Sequence, residues 1–95
     1  MGKLVLIRTD GYTEEHVCPK PDFKLIKQLI GPHCTIIERV RCRYNGHARD
    51  CWLDEEGLLR SHRVFNPYVR KLVEAYYKRP CQEFAGNGVI WVPRT

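Results

Sequence analysis

The apolar positions of this chain fall into short runs separated by turn residues, and the spacing inside each run predicts its structure. Residues 3–9 are rich in Leu, Val and Ile and alternate loosely, which suits a strand. Asp10-Gly11 then signals a hairpin turn, and residues 14–18 return as a second strand. Pro19 and Pro21 end it, because neither can donate to a sheet ladder. Phe23, Ile26, Leu29 and Ile30 recur at helical spacing, with Leu25 widening the stripe. Asp22 precedes them as an N-cap, and Gly31-Pro32 stops the helix.

The second half repeats this grammar. Residues 35–44 read as a strand whose faces separate beyond Glu38: Val40, Cys42 and Tyr44 on one side, Arg39, Arg41 and Arg43 on the other. Asn45-Gly46 is the strongest two-residue turn signal, and residues 49–53 pair back. Asp54-Glu55-Glu56-Gly57 makes a further turn, with Gly57 expected at positive φ. Asn66-Pro67 opens a helix, Asn as N-cap and Pro in the first turn. Its buried stripe is Val69, Leu72, Val73 and Tyr76, and Pro80 ends it. After a Gly86-Asn87-Gly88 loop, residues 89–92 form a last strand. The order β-β-α-β-β-α-β predicts one α+β domain over 1–95, a mostly antiparallel sheet with both helices packed on one face.

Composition narrows the function classes. A chain of 95 residues with 43% hydrophobic and 28% charged residues is ordinary for a soluble globular domain. No apolar run approaches a membrane span, and the first residues lack the length and cleavage site of a signal peptide. Gly2 is not a myristoylation signal, since position 6 is Leu. The net charge of +5 favours an anionic partner: a nucleotide, a nucleic acid or an acidic protein. Five cysteines, an odd number without a Cys-x-x-Cys pair, read as reduced thiols in a cytoplasmic setting. No metal and no cofactor is expected, because zinc-type paired ligand spacings are missing.

Four pieces of the chain carry a resemblance. They are Leu29-Ile30-Gly31 ending a helix; Ile37-Glu38 in the next strand; the hairpin leading to Asp54-Glu55-Glu56-Gly57-Leu58-Leu59; and Asn66-Pro67 followed by Gly86-Asn87-Gly88-Val89-Ile90. In that order they resemble the small phage and bacterial family catalogued as domain of unknown function 3846, over roughly residues 16–93. The resemblance implies a fold and a mobile-element context, and no reaction. This chain is more basic and richer in cysteine than the family pattern.

The candidate chemistry is cationic. Arg39, Arg41 and Arg43 place three guanidiniums on one strand face, with Arg49 expected to join them from the neighbouring strand. Tyr44 and Trp52 are candidate stacking partners for bases. Arg60, His62 and Arg63 precede the Asn66-Pro67 helix start and can present donors there. Asp54, Glu55 and Glu56 read as turn or cap residues, not as a catalytic pair. Ser61-His62 is only a sequence neighbourhood, and no phosphate-cradling glycine motif is present. The expectation is a non-enzymatic, mobile-element accessory protein, forming a homodimer or small oligomer and binding an anionic partner. It fits counter-defence by sequestering a nucleotide signal or blocking a host protein. The alternative is a nucleic-acid-binding protein that uses the arginine face.

Overall fold

A computed structural model describes residues 1–94. The elements are β1 (Gly2–Ile7), β2 (Thr13–Cys18), α1 (Phe23–Ile30), β3 (Ile37–Tyr44), β4 (His47–Asp54), a short 3-10 helix (Gly57–Leu59), α2 (Pro67–Tyr77) and β5 (Gly88–Pro93). The fold is α+β, with the element order that the apolar pattern predicts. Five antiparallel strands form one open sheet in the order β2-β1-β5-β4-β3. The last strand in sequence thus lies at the centre, between the two hairpins.

The local signals act where the sequence places them. Asn45 (φ 51°) and Gly46 (φ 82°) form the turn between β3 and β4 in the left-handed geometry that matches strand twist. Asp22 accepts from the amides of Lys24 and Leu25, capping α1. Asn66 accepts from the Val69 amide at the start of α2. Lys78, at φ 57°, closes α2 before Pro80.

The helices do not share a face. Ile26 and Ile30 of α1 pack with Leu4, Leu6, Trp52 and Val89 on one side of the sheet. Val69 and Val73 of α2 pack with Val5, Ile7, Cys51, Leu53 and Ile90 on the other. The expectation of two helices on one face is therefore corrected. Leu4 to Ile7 and Cys51 to Leu53 are continuous apolar runs, not alternating ones, and both are buried throughout. A strand that is apolar on both faces needs cover on both. Each short helix supplies one cover.

Gly57 also differs from expectation. It is absent from the positive-φ positions and instead opens the 3-10 helix. Its requirement is space: an added Cβ would stand 2.8 Å from the Ala85 carbonyl oxygen, a backbone atom with no rotamer to give. Gly57→Ala is expected to destabilise the fold by about 1–3 kcal/mol, the usual cost of overpacking. Leu59→Ala, at a side chain 81% exposed, is expected to stay within about 0.5 kcal/mol. Urea denaturation of both variants checks this, and equal midpoints would contradict it.

Candidate functional site

The chain presents two cationic regions. One is concave and the other is an open strand face.

The concave region is a cleft of about 400 Å³ between the C-terminal end of α1 and the loop that follows the 3-10 helix. Ile30 and His33 form one wall, Asp54 the floor, residues 60–64 the opposite wall, and Thr9 with residues 85–87 the end. Its polar chemistry centres on Asp54, whose side chain is 1% exposed. One carboxylate oxygen accepts from the Glu56 amide at 3.0 Å. The other accepts from Arg60 Nε at 3.1 Å and lies 3.6 Å from His33 Nε2. Arg60 also donates to the His33 carbonyl at 2.9 Å. This ion pair holds the Arg60 guanidinium above its ordinary pKa, with the hydrogen bond to Asp54 as the main cause. Asp54 therefore has the turn role the sequence suggests, but as a buried carboxylate, not a solvated one.

Arg63 is placed differently. It donates to the Leu58 carbonyl at 3.3 Å and lies over the Phe65 ring, 5.8 Å from its centre. It has no acidic partner among the described residues. His62 and Ser61 complete the wall. Asn87 donates to the Ile30 carbonyl at 3.5 Å, tying the end of the cleft to α1. Three of the four segments that carry the sequence resemblance thus supply cleft walls: Ile30, Asp54 with Gly57, and Gly86 with Asn87. Sequence reasoning singled out Arg60 and Arg63, read Asp54 as a turn or cap residue only, and did not place His33 beside it. No local spacing links residues 21 positions apart; only the pairing of β4 within the sheet brings them together.

The open face belongs to β3, an edge strand. Arg39 and Arg43 are exposed there. Arg41 pairs with Asp50 directly across the hairpin, Nη1 to carboxylate at 2.6 Å. Arg43 donates to the Gly46 carbonyl. The acid at Asp50 offsets part of the repulsion that three like charges at alternate positions would suffer.

Arg49 does not join this group. It pairs with Cys42 in the register and so points to the opposite face, where its Nε is buried without a hydrogen-bond partner among the described residues. The hairpin register decides this. The turn at Asn45-Gly46 sets Arg43 opposite Ala48 and puts even positions of β3 with odd positions of β4. Neither stacking candidate stands open beside the arginines, Tyr44 because of the register and Trp52 because α1 covers it. Tyr44 lies on the Cys42 side, half-buried against the cluster under α2. Trp52 is buried under α1, edge-on to Phe23 at 5.7 Å.

A wider hollow of about 490 Å³ lies beside the end of α2, lined by Glu38, Arg79, Tyr77 and Cys81 among others. One acid and one base line it, so it carries no excess charge. Burial, with the nearby Glu55, raises the Glu38 carboxyl above its ordinary value. Among the described residues, no group of three or more His, Cys, Asp or Glu side chains is arranged to hold a metal ion. No helix among them is long and apolar enough to cross a membrane.

Comparison with family models, curated proteins and solved structures returns no match for the chain. The resemblance in the sequence thus stands on its motifs alone.

All five cysteines are free thiols, four of them buried. Cys42 and Cys51 are diagonal neighbours on adjacent strands. Their interaction lowers the pKa of Cys42 and, together with burial, raises that of Cys51 well above the ordinary value. Cys81 is partly exposed, and burial pushes its thiol up as well. Iodoacetamide at mildly alkaline pH is expected to modify Cys81 alone in the native protein, more slowly than in the unfolded chain, since less thiolate is present. Intact-mass measurement checks this; rapid native modification of several thiols would contradict it.

Proposed function

We propose that the protein binds a small anionic ligand of mononucleotide size in the Asp54–Arg63 cleft and does not transform it. The observation that carries this reading is Arg63. It is the cleft guanidinium with no acidic partner among the described residues, whereas the charge of Arg60 is matched by Asp54. A phosphate or carboxylate entering the cleft would meet Arg63, with His62 and Ser61 as further donors. The cleft volume of about 400 Å³ lies in the range of small-molecule sites. Val64, 59% exposed, gives the cleft an apolar lip against which a base or other flat group can lie.

The case against chemistry is also geometric. The buried carboxylate accepts from Arg60 and a backbone amide, which leaves it poorly placed to take a proton from a substrate. Binding without turnover fits sequestration of a nucleotide signal, and the free thiols fit a reducing cytoplasm. The mobile-element context implied by the sequence resemblance agrees with such an accessory role.

Isothermal titration with AMP, ADP, a cyclic mononucleotide and inorganic pyrophosphate tests this. At least one is expected to bind saturably, and Arg63→Gln to weaken it at least tenfold, about 1.4 kcal/mol. Chromatography should recover the ligand unchanged. Absence of saturation with every probe, or conversion of the bound ligand, would overturn the reading.

A further inference from the structure

The arginine face continues beyond β3 into a feature that the strand pattern alone does not show. The Arg41 guanidinium lies over the Tyr76 ring of α2, 5.5 Å from its centre. Tyr76 meets Tyr77 edge to face, with ring centres 4.8 Å apart and planes at 82°. Arg79 in turn lies over Tyr77 at 5.9 Å. Four side chains, from β3, α2 and the segment that follows α2, therefore form an unbroken track of cation, ring, ring and cation. The track winds around the edge strand, because Arg41 belongs to one face of the sheet while Tyr77 and Arg79 border the hollow on the other. Arg39 and Arg43 flank its start, and Lys78 lies beside its end.

Charge along the track is one-sided. Asp50 is matched by Arg41, and Glu38 lies in the hollow beyond Tyr77. Arg39, Arg43 and Arg79 have no ion-pair partner among the described residues. The aromatic side is not sealed either: Tyr77 remains 46% exposed. A face that is merely solvated needs the cations but gains nothing from leaving a tyrosine ring open beside them.

We infer that this track is a docking surface for single-stranded nucleic acid. Alternate residues on a strand stand about 6.6 Å apart, so the unpaired Arg39 and Arg43, two such steps apart at about 13 Å, can reach alternate phosphates of an extended strand. Rings placed along such a basic path offer stacking platforms that tolerate any base. A duplex keeps its bases stacked inside and would leave Tyr77 without a role. An acidic protein would satisfy the arginines but not the rings. The surface is separate from the cleft and does not depend on the ligand proposed there.

The test is fluorescence anisotropy with a fluorescein-labelled oligothymidylate of about twenty nucleotides, at about 50 and about 200 mM salt. The native protein is expected to bind saturably and to lose affinity steeply as salt rises. The double variant Arg39→Gln, Arg43→Gln is expected to bind at least tenfold more weakly with a flatter salt slope. Tyr77→Ala is expected to weaken binding about tenfold with the slope unchanged, because it removes stacking and no charge. Arg63→Gln should bind the oligonucleotide like the native protein, which separates this surface from the cleft. Circular dichroism confirms that each variant folds. Lack of binding at low salt overturns the inference. So does native affinity in Tyr77→Ala, or equal affinity for a blunt duplex or polyglutamate.

Discussion

The side chain of Asn66 ties together the parts of this molecule that matter most. It is fully buried, and its polar atoms find partners in three separate places. The oxygen caps α2 at Val69, and the amide nitrogen donates to the carbonyls of Ile7 and Gly86. A buried polar group left without partners costs about 1–3 kcal/mol, so these bonds act as an obligatory set and not as decoration. They join the end of β1, the start of α2 and the segment leading into β5. Gly86 itself and Thr9, two residues past Ile7, line the cleft. The Asn66 backbone adds a bond to the Phe84 carbonyl. One residue thereby fixes both the helix entry and one end of the cleft.

Much of the fold was legible because the turns and caps are local. Asn45-Gly46, Asp22 and Asn66-Pro67 each specify their geometry within a few residues. Two-sided burial was less legible. Leu4 to Ile7 can be read as a loosely alternating strand until its central neighbour, β5, is known to come from the far end of the chain. The candidate site divides in the same way. Arg39, Arg41 and Arg43 follow from strand periodicity alone. Arg49 and Trp52 depend on hairpin register, and on which helix covers which face. His33 and Asp54 meet only through tertiary contact. Asn66 was visible as a cap, but its amide bonds to residues 59 and 20 positions away leave no trace in the spacing.

The excess positive charge is not spread evenly. Several acids are engaged by structural partners: Glu15 by Lys3, Asp50 by Arg41, Asp54 by Arg60, and Glu74 and Glu83 by Arg70. The exposed pairs among these contribute little to stability, whereas the Asp54 carboxylate is buried. The larger effect of these pairs is to decide which cations stay uncompensated. Arg63 on the cleft wall and Arg39, Arg43 and Arg79 along the β3 edge are among the uncompensated ones. Part of the bulk charge of +5 thus lies on two surfaces of different shape, one sized for a small anion and one for an extended one.

Binding in the cleft is the central claim, and amide chemical shifts in ¹H–¹⁵N correlation spectra report on it residue by residue. Titration in turn with AMP, ADP and a cyclic mononucleotide is the direct measurement, with pyrophosphate as the probe lacking a base. The account predicts saturable shifts at His33, at residues 57–64 and at residues 85–87, while residues 39–43 stay still. Shifts confined to residues 39–43, or none at any position up to millimolar ligand, would contradict it.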